Sequence, residues 1–281
     1  MKLIHDIEND LQHTIPEVGG EDSQRLFEAM TERSLSLLEV SDTQCVVDLA
    51  CGMGQDSQAI AQRMTGNGGT SPLALAVEPS HRMIRFAQQQ FRERKRTVTT
   101  ALPGGGRVVY LRALGEEIPL KNNSVDAVLC KGSLDHFMDP SLTMKEIARV
   151  LRPNGRVVIS LANYDSLSCR LGRWGDQLKR WLAPGFAPAE HPYYNPPPDH
   201  LTRFGYGSIK KLPQSPLHLK RLEGVSMLWG LPLWGKVLGF APPFLRPHLI
   251  SIAFLLGRIL PFWADVVVIQ AVKLKHGEDA P

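Results

Sequence analysis

From residue 44 to residue 161, short apolar runs alternate with stretches of helical period. Gln44–Ala50, carrying Cys45-Val46-Val47-Asp48-Leu49-Ala50, is β-branched and stopped by Gly52, the pattern of a strand covered on both faces. Gln55–Met64 then reads as a short helix, and Leu73–Val77 as a second strand. Ser80 is an N-cap residue for a helix with Met83, Ile84, Ala87 and Phe91 on one face. Arg107–Leu111 and Ser124–Cys130 continue as strands three and four. Leu142–Leu151 is a helix, Pro153-Asn154-Gly155 a turn, and Arg156–Leu161 strand five. Leu217–Met227 and Ala264–Lys273 complete a set of seven. Such alternation predicts an α/β architecture, a doubly wound, mostly parallel seven-stranded sheet with right-handed crossovers. Ahead of it, Leu26, Met30 and Leu37 share a helical face within Asp22–Glu39, so residues 1–40 read as an N-terminal helical segment. Residues 41–281 read as the main domain.

Two stretches break the alternation. Residues 162–207, with Trp174, Trp181, Tyr193, Tyr194 and Pro196-Pro197-Pro198, read as a lid-like insert. Residues 228–263 are apolar, broken by proline and punctuated only by Lys236, Arg246 and Arg258 among charged residues. Their longest charge-free stretch falls well short of the ~20 residues a transmembrane helix needs. Three roles fit this apolar helical insert: an interfacial helix pair in contact with a membrane surface, a cap over an apolar acceptor, and a homodimer interface. Charge follows the same division. Residues 1–160 carry 18 Lys/Arg against 20 Asp/Glu, and residues 161–281 carry 14 against 8. The formal total of +4 is too dispersed for a nucleic-acid binder. The four cysteines form no CxxC pair, so neither a disulfide framework nor a zinc site is expected, and the acidic N-terminal stretch points to a cytoplasmic protein.

The candidate chemistry gathers at Asp48-Leu49-Ala50-Cys51-Gly52-Met53-Gly54-Gln55-Asp56, where a buried strand turns on glycine into a helix. Glycines let a ligand approach the backbone, and a helix start offers free N–H groups. Glu78, at the end of the next strand, is placed to take both hydroxyls of a ribose. A dinucleotide fold would need a third glycine, and here Gly52-x-Gly54 is followed by Asp56-Ser57-Gln58. Asp48 would repel a pyrophosphate but suits an ammonium group. A ligand with a ribose and an amino-acid zwitterion fits better, and S-adenosylmethionine is that ligand.

The segments VVDLACGMGQDS, AVEPS, GEEIPLKNNSVDAVLC and RVLRPNGRVVIS resemble, in order, the class I S-adenosylmethionine-dependent methyltransferases, of the type that includes the ubiquinone- and menaquinone-pathway enzymes. The resemblance implies a Rossmann-like methyltransferase fold and S-adenosylmethionine as cofactor. By it, Asp48, Ala50, Gly52 and Gly54 hold the methionine end, and Glu78 binds the ribose. Pro79, Ser80, Glu116 and Glu117 sit beside the adenine, and Lys131 lines the cofactor pocket. A small, hydrophobic or lipid-like acceptor is the expected partner. A non-catalytic cofactor-binding protein and a dinucleotide-dependent oxidoreductase are the rival readings. Methyl transfer requires alignment and, for some acceptors, a base. His136, just beyond strand four, and His200, in the lid-like insert, are the candidate catalytic groups. Tyr193 and Tyr194 could face the acceptor, and Asp135 could cap the following turn. His191 and His200 have no third ligand at a convincing spacing, so no metal is expected.

Overall fold

A computed structural model describes residues 20–41, 45–64, 72–97, 106–190 and 192–275, with residues 91–97 in backbone only. His191 and the side chain of Phe91 lie outside the described residues. The seven strands are β1 (Cys45–Leu49), β2 (Leu73–Val77), β3 (Arg107–Leu111), β4 (Val125–Lys131), β5 (Leu151–Ala162), β6 (Leu217–Gly224) and β7 (Val266–Lys273). They form one sheet in the order β3-β2-β1-β4-β5-β7-β6. β1 to β5 pair in parallel, and β7 runs antiparallel between β5 and β6. The expected mostly parallel seven-stranded sheet is therefore the observed one. The order in which successive strands are added reverses between β1 and β4, which is where such a sheet opens a crevice at its carboxyl edge.

Helices α1 (Gly20–Leu38), α2 (Gln55–Arg63), α3 (His81–Thr97) and α4 (Pro140–Val150) belong to the alternating part. Helices α5 (Leu167–Leu182), α6 (Tyr206–Lys210), α7 (Pro232–Phe240) and α8 (Arg246–Ile259) belong to the inserts. Both faces of the sheet are covered. On one face Val47, Leu49, Val128, Val157 and Ile269 pack with Met144 and Ile147 of α4. On the other, Val46, Ala127, Leu129 and Val158 pack with Leu26 and Leu37 of α1 and Ile60 of α2. The period of two along β1 puts Asp48 on the same side as Val46, facing α1 and α2. The same period along β4 carries Lys131 to that side with Ala127 and Leu129.

Local signals account for the helix starts. Ser80 Oγ accepts from Met83 N at 3.2 Å, as its N-cap reading requires. The cap of α4 is Asp139, whose carboxylate accepts from Leu142 N at 2.9 Å ahead of Pro140. Asp135, expected as a cap, is buried and does other work. The Pro153-Asn154-Gly155 turn lies inside β5 as a bulge. Leu151 pairs with Val125, pairing resumes at Arg156 with Ala127, and Asn154 takes a left-handed φ of 66°. The residues between are looped out and the ladder continues, which pattern reading could not separate from a chain reversal.

The apolar insert docks through two glycines. A Cβ on Gly224, at the end of β6, would lie 2.2 Å from Gly257 O of α8, and one on Gly257 would lie 2.8 Å from the Ser226 backbone. Gly235 and Gly239 of α7 have nothing within 4 Å of that position. Gly257→Ala is therefore expected to destabilise the protein by about 1–3 kcal/mol through overpacking. Gly239→Ala is expected to stabilise it by up to about 1 kcal/mol through helix propensity. Denaturant midpoints of the two variants would show these opposite signs.

Candidate functional site

At the carboxyl edge, β1 runs into a turn in which Ala50, Gly52 and Gly54 all take left-handed φ values of 57°, 49° and 71°. Cys51 N donates to Val77 O at 3.1 Å and Gly54 N to Cys51 O at 2.8 Å, which ties the turn to β2 and closes it on itself. A Cβ on Gly52 would meet nothing within 4 Å, so this side of the turn faces open space. A Cβ on Gly54 would lie 2.7 Å from the Tyr110 hydroxyl of β3. That hydroxyl is buried, with the Gln58 side chain of α2 as its polar neighbour. Sequence reading missed Tyr110, because nothing in a strand pattern says which end of a cross-strand neighbour reaches the turn.

Three carboxylates surround this turn. Glu78 is buried, and its two oxygens accept from Gly52 N at 2.9 Å and Ser80 N at 3.1 Å. Burial raises its pKa, and the two backbone donors pull it back. Each oxygen keeps a further lone pair for another donor. Asp48, 2% exposed, accepts from Ser57 Oγ at 2.5 Å. Burial, then the nearby charge of Asp56, pushes its pKa up to about 7. Asp56 pairs with Lys131 Nζ at 2.6 Å, and the same ammonium donates to Thr31 Oγ1 of α1 at 2.6 Å. Lys131 thus acts on Asp48 and Asp56, and it is already engaged. The cluster suits a positively charged ligand and disfavours a pyrophosphate.

The sequence candidates for the adenine side divide. Ser80 is fully buried at the α3 cap, and Pro79 O accepts from Arg112 Nε at 2.9 Å. Glu116 accepts from Asp139 N at 3.2 Å, which turns it toward α4, and Glu117 is exposed. Gly115 packs against the Phe137 ring, where a Cβ would lie 2.5 Å from Cε2.

Beyond β4 a 3-10 turn, Leu134–His136, brings a second polar cluster to the same edge. His200 Nδ1 lies 2.8 Å from Asp135 Oδ2 and 3.2 Å from the Tyr164 hydroxyl. His136 Nδ1 lies 3.1 Å from Asp199 O. The two imidazole rings meet edge to face with centroids 4.4 Å apart. The Asp135 backbone carbonyl accepts from Thr202 N at 3.0 Å, which fixes the insert to the β4 turn. The two predicted catalytic histidines, 64 positions apart in the chain, are neighbours. The His200 pKa is raised: burial works against this, and the Asp135 carboxylate outweighs it.

Tyr193 and Tyr194 are engaged elsewhere. Tyr194 donates to Asp176 Oδ2 at 2.7 Å, and Tyr193 donates to Ser168 O at 3.0 Å. They hold the 183–205 segment on α5, so a packed cover describes them better than an acceptor-facing pair. A cleft of about 740 Å³ between α4, α6 and the sheet edge, lined by Met144, Phe204 and Pro216, includes no member of the carboxylate cluster.

The inserts begin at a common point. Asp265 accepts from Ser168 Oγ at 2.6 Å and from Trp229 N at 2.9 Å. From there α5, α7 and α8 present apolar side chains outward, including Trp181 at 78% and Phe240 at 90% exposure. α7 buries none of its residues. Among the described residues no helix is long and apolar enough to cross a membrane.

Residues 47–159 match the family model described as a methyltransferase domain. The chain is 35% identical over 112 residues to the uncharacterized methyltransferase Rv3342 of Mycobacterium tuberculosis, covering 40% of this chain and 37% of that protein. It is 24% identical over 217 residues to a demethylmenaquinone methyltransferase of Clavibacter sepedonicus, covering 65% of this chain and 79% of that one. The chain spans little more than a third of the length of the Mycobacterium relative and of a 37.1 kDa protein of a Streptomyces fradiae transposon, which it also matches. Among solved structures, a chain from the complex of the Haloferax volcanii Trm112 methyltransferase activator with a methyltransferase superposes at a TM-score of 0.56. It is 16% identical, and the match covers 90% of this chain and 94% of that one. The PH0226 protein of Pyrococcus horikoshii gives 0.54 at 15% identity, covering 94% and 98%. These last two speak to the fold alone. Residues 47–159 thus resemble a methyltransferase domain, and the seven-stranded sheet that contains them shares its fold with those solved structures.

Proposed function

We propose that this protein is an S-adenosylmethionine-dependent methyltransferase acting on a small hydrophobic or lipid-like acceptor. The observation that carries the reading is the buried carboxylate cluster around the left-handed Gly52 turn, with its single engaged lysine. S-adenosylmethionine brings a sulfonium and an ammonium against one carboxylate, and supplies an electrophilic methyl when bound. Asp48 would face the ammonium, and Glu78 would take the ribose hydroxyls on its remaining lone pairs. Gly52 would let the ligand lie against the backbone. Lys131, held by Asp56 and Thr31, would close the α1 side of the pocket. On the acceptor side His136 and His200 would orient the acceptor or take up its proton at a ring nitrogen.

The exposed apolar helices support a hydrophobic acceptor. So does the demethylmenaquinone methyltransferase among the relatives, at low identity. Residues 228–263 contain no acidic residue, and Lys236, Arg246 and Arg258 lie among their apolar side chains. That charge suits an anionic lipid surface, at which α7 and α8 would collect a lipid-dissolved acceptor.

Three outcomes are expected. Glu78→Ala should weaken S-adenosylhomocysteine binding by about 1–3 kcal/mol, roughly 10- to 100-fold, in a calorimetric titration. Unchanged affinity would remove Glu78 from the site, and tight NADH binding instead would favour the oxidoreductase. The second concerns pH. The folded pKa of Asp48 lies above its unfolded value of 3.8, at about 7, so the folded protein holds a proton that the unfolded chain releases. Stability of the ligand-free protein should therefore fall as pH rises through about 7. The ligand's ammonium competes with that proton, so S-adenosylhomocysteine affinity should fall below about pH 7, and Asp48→Asn should flatten both trends. Third, Phe240→Ser should reduce partitioning onto anionic vesicles about tenfold or more, since a buried phenylalanine contributes ~1.5–3 kcal/mol. Loss of S-adenosylhomocysteine affinity in the same variant would instead assign the helix to a cap.

A further inference from the structure

We infer that Asp135, His136 and His200 form a binding site for one divalent transition-metal ion of the zinc class, on the acceptor side of the crevice. One ligand atom from each of the three residues lies within 4.8 Å of the other two. Two imidazoles and a carboxylate are the donor set that borderline ions such as Zn²⁺, Co²⁺ and Fe²⁺ prefer over Mg²⁺ or Ca²⁺. Bonds of ~2.0–2.2 Å to such an ion bring ligand atoms to roughly 3.3 Å apart, so rotation of the side chains closes the site without moving the backbone.

Two further features set this cluster apart from an ordinary hydrogen-bonded pair. Asp135 is 3% exposed, and its Oδ1 is buried with no hydrogen-bond partner, while Oδ2 is taken by His200. An uncompensated buried carboxylate oxygen is costly, and a cation satisfies it. Both histidines also have their Nδ1 atoms placed against oxygens, His200 against Asp135 and His136 against the Asp199 carbonyl. The His136 contact fixes its tautomer with a proton on Nδ1 and leaves Nε2 for a metal, while between His200 Nδ1 and Asp135 Oδ2 an ion would take the place of the shared proton. Asp199 Oδ2, 3.4 Å from His136 Nδ1, adds negative charge at the rim.

Three protein ligands leave open positions on the ion. Resting on the methyltransferase reading, those positions would receive a hydroxyl oxygen of the acceptor, whose pKa the ion would lower so that its proton leaves to water, the two histidines then serving as ligands and not as the base. This places the acceptor class among molecules with an ionisable hydroxyl or enol. Spacing within the chain could not reveal the site, because its members come from the β4 turn and from the insert 64 residues on.

The test uses the tag-free, metal-depleted 281-residue chain. Zn²⁺ is titrated by calorimetry and Co²⁺ by visible absorption, and S-adenosylhomocysteine affinity is measured on every variant. One equivalent of Zn²⁺ should bind, and Co²⁺ should give the intense visible bands of a low-coordinate nitrogen–oxygen site. His136→Ala, His200→Ala and Asp135→Asn should each abolish stoichiometric binding and leave S-adenosylhomocysteine affinity within a few-fold of the native value. Absence of stoichiometric binding to the native protein would overturn the inference, as would binding that survives His200→Ala unchanged. Metal binding without S-adenosylhomocysteine binding would leave the site standing and sink the methyltransferase reading.

Discussion

Desolvated negative charge at the carboxyl edge of the sheet is the constraint on which the rest depends. Asp48 and Glu78 leave adjacent strands beside the same turn, and Asp56 follows from the first turn of α2. Burial alone would neutralise them. Gly52 N, Ser80 N and Ser57 Oγ hold them toward ionisation, and Lys131 offsets a single charge. The result is a site where Asp48 stands close to its titration point at neutral pH, a condition that costs folding free energy. A cationic ligand relieves that strain. The parallel sheet, the left-handed turn and the α1 cover are the means by which the acids are brought together and kept from water.

The inserts extend the same logic to the second substrate. Asp265 joins the start of α5 to the segment leading into α7, so both inserts grow from one anchored corner. Thr202, bound to the Asp135 carbonyl, draws the far end of the first insert across the β4 turn. One consequence is the meeting of His136 with His200. Another is an outward face of tryptophan, phenylalanine and leucine that buries little against the domain.

The alternation of β-branched runs and helical periods was enough to place all seven strands, because strands covered on both faces carry a strong apolar signal. The Asp48 turn and Glu78 were legible for a related reason: the ligand edge of a parallel sheet is fixed by strand order, so local motifs suffice. Features that depend on long-range packing were not legible. The reach of Tyr110 to Gly54, the use of Glu116 on Asp139 N, and the engagement of Tyr193 and Tyr194 on α5 all depend on neighbours remote in sequence. Helix α5 is strongly amphipathic, and reading residues 162–207 by their tryptophan, tyrosine and proline content passes over that period. His136 and His200 were each found singly, and their juxtaposition was not.

A crystal structure of the full chain grown with S-adenosylhomocysteine tests the central claim most directly. The account predicts the ribose hydroxyls on the Glu78 carboxylate, the amino group beside Asp48 and the ligand lying against the open side of Gly52. Density for the nucleoside in the cleft bounded by Met144, Phe204 and Pro216, with the Glu78 carboxylate still bound only to Gly52 N and Ser80 N, would contradict it.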